Sequence, residues 1–208
     1  TTMKLAQSLL DLPGGVSNID ITVADIFDAQ DVSERLQAAN SELATLALTD
    51  PLTGLSNRRA ILNDVPRLFD QALRESTYVL VGVIDLDGFK QINDTYGHPE
   101  GDKVLQQIAE TGRGALRRGD VFGRIGGEEF AAVFPGCAPD MALQVAERLQ
   151  REIQRLSFTH EQKTFGITVS QGLTNLKAED ASIESLFARA DAAMYEAKRQ
   201  GKNRIISG

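Results

Sequence analysis

The sequence predicts an α/β (α+β) fold, with a ferredoxin-like βαββαβ core, an extra helix and strand, and an N-terminal helical linker before the core. Three observations support this prediction. Residues 78–84 are almost all β-branched or apolar, as in a central strand that is buried on both faces. Residues 120–134 contain two apolar runs around a glycine-containing turn, which indicates a β-hairpin. From residue 78 the patterns alternate as β-α-β-β-α-β and then α-β, the order of a split βαβ unit with one added helix and strand.

Apolar residues near the N-terminus recur at heptad spacing, at Ala29, Val32, Leu36, Ala39, Leu43 and Leu46. This spacing predicts a helix over residues 29–49, which we interpret as a signalling linker that pairs as a coiled coil. A single amphipathic helix packed on its own domain would give the same short pattern, so both interpretations stay open. Residues 1–28 have no clear pattern, and one interpretation is the remnant of an upstream sensor. A globular domain is expected over residues 50–208, because Pro51 ends the helix.

Within this domain, apolar residues at steps of three and four predict helices around residues 61–72, 104–115, 142–156 and 183–197. Pro66 lies within the first of them and is expected to kink or split that helix. Alternating apolar residues predict a half-buried strand over residues 165–173, and residues 204–206 are expected to form a short final strand.

Composition and charge exclude several classes of function. The chain has 208 residues, of which 42% are hydrophobic and 25% charged, as in an ordinary globular protein. Most of the net charge of −7 lies in the first 50 residues, and nothing forms a basic surface for nucleic acid. No segment approaches the ~20 apolar residues of a membrane helix, so no membrane segment is expected in this chain. The single cysteine, Cys137, cannot form an internal disulfide and fits a reducing compartment.

Acidic side chains follow two of the predicted strands. The predicted hairpin turns at Gly126-Gly127-Glu128-Glu129-Phe130, where the glycines allow the positive φ that a tight turn needs. Asp85 and Asp87 follow the central strand, which neighbours this hairpin in a ferredoxin-like sheet, so Asp85 and Glu128 are expected to converge. Two carboxylates in one cleft repel each other unless one is protonated or a cation lies between them. The pattern therefore indicates a divalent cation and a phosphorylated ligand.

Six short motifs occur in order between residue 50 and the C-terminus. They are Asp50-Pro51-Leu52-Thr53-Gly54-Leu55-Ser56-Asn57-Arg58-Arg59, Asp85-Leu86-Asp87-Gly88-Phe89-Lys90, Asn93-Asp94-Thr95-Tyr96-Gly97-His98, Gly101-Asp102, Gly126-Gly127-Glu128-Glu129-Phe130 and Ala197-Lys198-Arg199-Gln200-Gly201-Lys202-Asn203-Arg204. Together they resemble the GGDEF family, the diguanylate cyclases that join two GTP molecules into cyclic di-GMP. The hairpin sequence alone would be weak evidence, but six motifs in order at compatible spacings are specific.

The resemblance implies a metal site and a general base. Asp85 and Glu128, with the backbone carbonyl of Leu86, would hold Mg²⁺ or Mn²⁺, and Glu128 would take the proton of the attacking 3′-hydroxyl. The alternative for Glu128 is a solvated glutamate in a turn. For Asp87 and Glu129 two interpretations stay open, since either could support the metal ligands or be a surface carboxylate.

The resemblance also implies that GTP is contacted by Phe89, Lys90, Asn93, Asp102, Lys198 and Lys202. Lys90, in a loop after the central strand, would stabilise charge in the transition state. Lys198 and Lys202 are four residues apart at a predicted helix end, where they could share a face and bind terminal phosphates. Either lysine alone could instead stabilise the helix C-terminus. Asp102, together with Asn93, would accept hydrogen bonds from guanine; its alternative is a helix N-cap before Val104.

A second nucleotide site is implied by Arg117-Arg118-Gly119-Asp120, which has the Arg-x-x-Asp pattern and position of the family's inhibitory product site. Arginine can stack on guanine and form two hydrogen bonds to phosphate, and aspartate can accept from the base. Arg148 matches a secondary arginine of some relatives. By itself, Arg-x-x-Asp is a common surface tetrapeptide.

The expected function is that of a diguanylate cyclase, a nucleotidyltransferase that condenses two GTP into cyclic di-GMP and two pyrophosphates. One GTP for each subunit implies a homodimer, and the expected location is the bacterial cytoplasm, within a longer sensor protein. One alternative is a non-catalytic module that senses GTP or cyclic di-GMP; the retained Glu128 and glycines disfavour it. Another is an enzyme that makes a mixed cyclic nucleotide, which Asp102 disfavours.

Overall fold

The computed structural model describes residues 30–37, 47–177, 180 and 182–208. The chain divides into two compact units, Thr1–Ala44 and Thr45–Gly208. In the first unit, residues 30–37 are helical, and Val32 and Leu36 are 52% and 58% exposed. The other heptad positions, and the interpretation of residues 1–28, lie outside the described residues.

The second unit contains helices and strands in an alternating order. The helices are α1 Arg58–Glu75, α2 Phe89–Tyr96, α3 His98–Ala115, α4 Pro139–Gln154 and α5 Ile183–Arg199. The strands are β1 Ser56–Asn57, β2 Val79–Asp87, β3 Val121–Arg124, β4 Glu129–Pro135, β5 Phe158–His160, β6 Lys163–Phe165, β7 Thr168–Asn175 and β8 Ile205–Ser207. Among the described residues, none of the helices combines the length and the apolar content that crossing a bilayer requires.

The described strands form one six-stranded sheet, in the order β1-β3-β4-β2-β7-β8, and a separate hairpin of β5 and β6. Strand β2 is antiparallel to both of its neighbours, β4 and β7, whereas β1 and β8 pair in parallel at the two edges. The four inner strands with their connecting helices give the ferredoxin-like βαββαβ order, so the predicted fold class is confirmed.

Side chains alternate along β2 between two core layers, one on each face of the sheet. Leu80, Ile84 and Leu86 pack in the layer that contains α3 and α4. Val79, Val81 and Val83 pack in the layer that contains α1 and α5. Because the side-chain period of a strand is two, Asp85 and Asp87 continue the second set, on the face covered by α1 and α5.

Three details differ from the sequence-based predictions. Helix α1 is not split at Pro66, because this residue is exposed and water can replace the hydrogen bond that proline cannot donate. The strand predicted over residues 165–173 is two strands: β6 pairs with β5, and β7 is buried on both faces instead of half-buried. Helix α2 and the β5–β6 hairpin were not predicted, since both are short segments whose apolar residues pack on neighbouring elements.

Candidate active site

The turn of the β3–β4 hairpin lies beside the C-terminal end of β2. In the register of β2 and β4, Asp85 is opposite Glu129. The backbone N–H of Leu86 donates a hydrogen bond to the carbonyl oxygen of Glu128 at 3.2 Å. The structure therefore brings together Asp85, Leu86 and Glu128, the three residues that the sequence suggested as metal ligands.

The carboxylate of Asp85 is buried and short of donors. The residue is only 4% exposed, and no described residue gives Oδ1 an aligned hydrogen bond. Its counter-charge is the ammonium of Lys198, with Nζ 2.6 Å from Oδ1. Burial raises the pKa of Asp85, and Lys198 only partly offsets this. Burial, with the added repulsion of Asp85, also raises the pKa of Glu128.

The single positive charge of Lys198 does not balance the negative charges of Asp85 and Glu128. Two carboxylates with such an imbalance are typical of a cation-binding site. No three side chains of His, Cys, Asp or Glu are grouped as a metal centre in the described ranges. A cation bound here would therefore need backbone, water or ligand oxygens to complete its coordination, as Mg²⁺ commonly does.

The glycines of the turn have a different purpose from the one predicted. Neither Gly126 nor Gly127 has a positive φ, so the expectation of a left-handed turn is wrong. A Cβ at Gly126 would overlap Oε2 of Glu129, whereas no described atom lies within 4 Å of a Cβ placed at Gly127. Gly126 thus lets the hairpin close over Glu129, and Gly127 leaves open space beside Glu128 where a ligand can approach the backbone.

Sequence reasoning missed Arg124, which holds this turn. Its guanidinium donates to the carbonyl oxygen of Gly127 from Nη2 at 2.7 Å and from Nε at 3.3 Å. Its Nη1 lies 3.1 Å from Oδ1 of Asp50, which also accepts from the N–H and hydroxyl of Thr53. The sequence feature that could have identified this residue is a charged arginine two positions before Gly126, at the end of an otherwise apolar strand.

The two remaining acidic residues lie in different surroundings. Asp87 accepts hydrogen bonds from the hydroxyls of Thr168 and Ser170 on β7, and from the backbone N–H of Asn203. Glu129 lines a cavity of about 390 Å³ between α1 and α5, whose lining includes Arg58 and Asp191.

The three candidate phosphate-binding lysines are not arranged as predicted. Lys198 is in the last turn of α5, where it also suits the negative end of the helix dipole. Lys202 lies beyond the end of α5 with a φ of 64°, so the expectation that the two share a helix face is wrong. Lys90 is exposed near the start of α2, which is a helix and not the predicted loop, and no described group pairs with its ammonium.

The candidate guanine-binding residues lie where α2 meets α3. A Cβ at Gly101 would overlap Oδ1 of Asn93 and come within 3.2 Å of Cζ of Phe89, so Gly101 makes room for both side chains. Asp102 is exposed, and within the described residues its carboxylate has no partner. Since α3 begins at His98 with Gly97 as its N-cap, the alternative of Asp102 as an N-cap is wrong. Phe89 and Phe130 are both buried in the core.

The hairpin of β5 and β6 braces this region, which the sequence did not suggest. Phe165 stacks on Tyr96 at the end of α2, with ring centroids 4.2 Å apart. His160, on the other strand of this hairpin, contacts the ring of Tyr96 edge-on, and its Nδ1 lies 3.4 Å from the carboxylate of Glu100 in α3. Together these contacts hold α2 and α3 in place from outside the sheet.

The Arg-x-x-Asp sequence forms a closed pair in this structure. Nε of Arg117 donates to Oδ1 of Asp120 at 2.8 Å, and Nη2 of Arg117 donates to the carbonyl of Pro135 at 2.6 Å. The side chain of Asp120 is only 1% exposed, so its carboxylate is occupied by Arg117. Arg148 donates to the carbonyl of Ala115, two residues before Arg117. A cavity of about 450 Å³ beside the pair is lined by three arginines, Arg113, Arg117 and Arg118.

Comparisons with known proteins agree with one another. The sequence model of the family described as "Diguanylate cyclase, GGDEF domain" matches residues 47–204. A curated relative, the diguanylate cyclase DgcP of Pseudomonas aeruginosa, is 38% identical over 193 residues, which cover 85% of this chain and 29% of the relative. The chain therefore spans less than a third of that relative's length.

Two solved structures resemble the chain closely. The coiled coil and GGDEF domain of DgcB from Caulobacter crescentus, in complex with c-di-GMP, has a TM-score of 0.84 at 32% identity, covering 89% of this chain and 98% of that one. The active GGEEF domain of a diguanylate cyclase from Vibrio cholerae has a TM-score of 0.69 at 33% identity, covering 74% and 97%.

Proposed function

Since the chain belongs to the GGDEF domain family of diguanylate cyclases, we propose that it condenses two GTP molecules into cyclic di-GMP and two pyrophosphates. The observation that carries this proposal is the meeting of Asp85, Leu86 and Glu128 at one end of the sheet, beside the open backbone of Gly127. Two carboxylates with too little positive charge nearby, placed together at the end of a sheet, are typical of a functional site.

The residues present fit a divalent cation, because two carboxylates and a backbone segment meet at one place and supply the oxygen ligands that Mg²⁺ prefers, with Lys198 as the counter-charge of Asp85. Asp85, Glu128 and the carbonyl of Leu86 would hold Mg²⁺ or Mn²⁺. When bound, the ion would neutralise charge on the phosphates of GTP and orient the α-phosphate.

The side chains of this chain perform the remaining steps. Glu128 takes the proton of the 3′-hydroxyl that attacks the α-phosphate of the other GTP. Lys90, which has no partner among the described residues, is available to stabilise charge on the leaving pyrophosphate. When GTP binds, the ammonium of Lys198 leaves the carboxylate of Asp85 and pairs with the terminal phosphates. Lys202 binds the same phosphates from the neighbouring loop.

Guanine selection is assigned to Asn93 and Asp102. The exposed carboxylate of Asp102 can accept from N1–H and the 2-amino group of guanine, a pair of donors that adenine lacks. A site built for these bonds would leave polar groups unpaired with adenine, which favours a product made from GTP alone.

Each catalytic domain binds one GTP, so two subunits must face each other, and we assign their pairing to the helical linker over residues 29–49. Product would inhibit by binding Arg117, Asp120 and Arg148, beside a cavity of about 450 Å³ lined by Arg113, Arg117 and Arg118, once Arg117 releases the buried carboxylate of Asp120. The cytoplasm of a bacterium is the proposed location, since GTP is available there and Cys137 forms no internal disulfide.

Incubation of the chain with Mg²⁺ and GTP, ATP or both tests the proposal. Cyclic di-GMP from GTP alone is the expected result. Nucleotide binding without any product would instead indicate a sensing module, and a hybrid product from the mixture would overturn the assignment of Asp102.

A further inference from the structure

Two carboxylates at the end of β2 have opposite surroundings. Oδ1 of Asp87 accepts from Ser170 Oγ at 2.7 Å, and Oδ2 accepts from Thr168 Oγ1 at 2.7 Å and from the backbone N–H of Asn203 at 3.0 Å. A carboxylate offers about four acceptor positions, so little capacity remains for a ligand. Asp85, two residues earlier on the same face, pairs with the ammonium of Lys198, whose Nζ lies 2.6 Å from Oδ1. Asp85 therefore has a counter-charge that a ligand can replace, while Asp87 is committed to protein groups.

The donor from Asn203 belongs to an unusual loop. Residues Gly201, Lys202 and Asn203, between α5 and β8, have positive φ angles of 113°, 64° and 49°. Asparagine and glycine adopt this region readily, but lysine does so rarely. A lysine in this conformation persists only where surrounding contacts fix the backbone.

Four sets of groups supply those contacts. The carboxylate of Asp87 accepts from the backbone N–H of Asn203. The side-chain amides of Gln150 and Gln154 on α4 donate to Oδ1 of Asn203 at 3.0 and 2.6 Å. The N–H of Lys202 donates to the carbonyl of Ala197 at 3.0 Å, and the carbonyl of Lys202 accepts from Nε of Arg204 at 3.1 Å. Asp87 and Arg204 are the charged groups among these contacts, and charge-assisted hydrogen bonds are the stronger kind.

We propose that Asp87 is a positioning residue for Lys202. By holding the N–H of Asn203, it fixes the left-handed backbone of the loop and so directs the Lys202 ammonium toward the terminal phosphates of GTP. This role rests on the proposed function. Strand β2 then organises both phosphate-binding lysines, since Asp85 contacts Lys198 and Asp87 sets the position of Lys202.

The test compares the affinities of the chain for two nucleotides in Mg²⁺ by calorimetry: GMP, and a GTP analogue with a methylene bridge between the α- and β-phosphates. The variant Asp87→Asn places an amide N–H₂ among three donors, which releases the loop. Its affinity for the GTP analogue should fall about tenfold, while its affinity for GMP, which lacks terminal phosphates, should change less than about twofold.

A matched control is Asp180→Asn. Asp180 is also a carboxylate held by several donors, but it lies in the connection between β7 and α5, with Arg189 as its partner. This variant should lower the melting temperature and leave both affinities unchanged. The double variant Gln150→Ala/Gln154→Ala frees the loop from the α4 side without touching Asp87, and should also weaken binding of the GTP analogue selectively.

A double-mutant cycle decides whether Asp87 acts through Lys202. In a Lys202→Ala background, Asp87→Asn should cause no further loss. Additive losses, equal losses for GMP and the analogue, or unchanged binding in both the Asp87 and the Gln150/Gln154 variants would each overturn the role of Asp87. A parent chain that binds neither nucleotide would overturn the proposed function itself, and this role with it.

Discussion

Arg124 donates two hydrogen bonds to one backbone oxygen, the carbonyl of Gly127, with Nη2 at 2.7 Å and Nε at 3.3 Å. The carbonyl belongs to the residue just before Glu128. The same guanidinium pairs with Asp50, so the turn that carries Glu128 is tied to the segment that precedes β1.

This relationship predicts the effect of Arg124→Lys. Lysine keeps the charge but cannot form the planar fork that contacts Gly127 and Asp50 together. Turnover of GTP should fall about tenfold or more, because Glu128 loses its fixed position. Circular dichroism should show a folded protein, and steady-state kinetics measure the loss. Wild-type turnover in this variant would mean that the hairpin holds its shape without Arg124.

Glu128→Gln should reduce the formation of cyclic di-GMP by at least about 100-fold, because the proposed mechanism loses both its general base and a metal ligand. In metal-free buffer its melting temperature should not fall, since repulsion between Glu128 and Asp85 is removed. Glu129→Gln, one residue along and lining the cavity between α1 and α5, is the control and should retain clearly more activity. Undiminished turnover in Glu128→Gln would contradict the assignment.

Arg117→Ala should relieve inhibition by cyclic di-GMP while initial rates stay nearly intact. The substitution leaves the buried carboxylate of Asp120 without its partner, so the protein should also lose about 1–3 kcal/mol of stability. Titration of cyclic di-GMP into initial-rate assays measures the effect. Arg155→Ala, at an exposed arginine paired with Glu152, is the control. Equal inhibition of both variants would make Arg117 an ordinary structural arginine.

Asp180 should give the stability of the chain a marked dependence on acid pH. Burial pushes its pKa up, but donors from Lys177, Arg189 and Ser185 outweigh burial and hold the pKa below its ordinary 3.8. The stabilisation is therefore complete above the unfolded value and is lost as the pH falls below about 4. Thermal unfolding between pH 7 and pH 3 should show a smaller decline for Asp180→Asn than for the parent. Parallel curves would contradict this.

Polar substitutions at Leu36 and Leu43 should weaken dimerisation and activity together. Leu36 is 58% exposed in the described helical residues 30–37, and a coiled coil as short as the one proposed for residues 29–49 would have little stability to lose. Sedimentation and the dependence of specific activity on protein concentration measure both effects. If the double variant dimerises and turns over like the parent, the helix is not the dimerisation element.

The site was predictable wherever it depends on strand period and topology. The convergence of Asp85 and Glu128 follows from the pairing of β2 with β4, which the apolar runs indicated. The positions of Lys202 and the donors of Asp87 were not predictable, because Thr168 and Asn203 come from 81 and 116 residues away in the sequence. The role of Gly126 was misread for a different reason: it depends on the side-chain conformation of Glu129, only three residues away, which the sequence does not give.

The alternation of side chains along β2 also limits how this protein can change during evolution. A single-residue insertion or deletion before Asp85 within the strand would turn its carboxylate onto the opposite face of the sheet, among the apolar residues of the other layer. Length changes in the connections at residues 76–78 or 136–138 carry no such consequence, because they leave the parity of β2 unaltered. Homologous lineages should therefore differ in length in these connections and keep the number of residues in β2 constant.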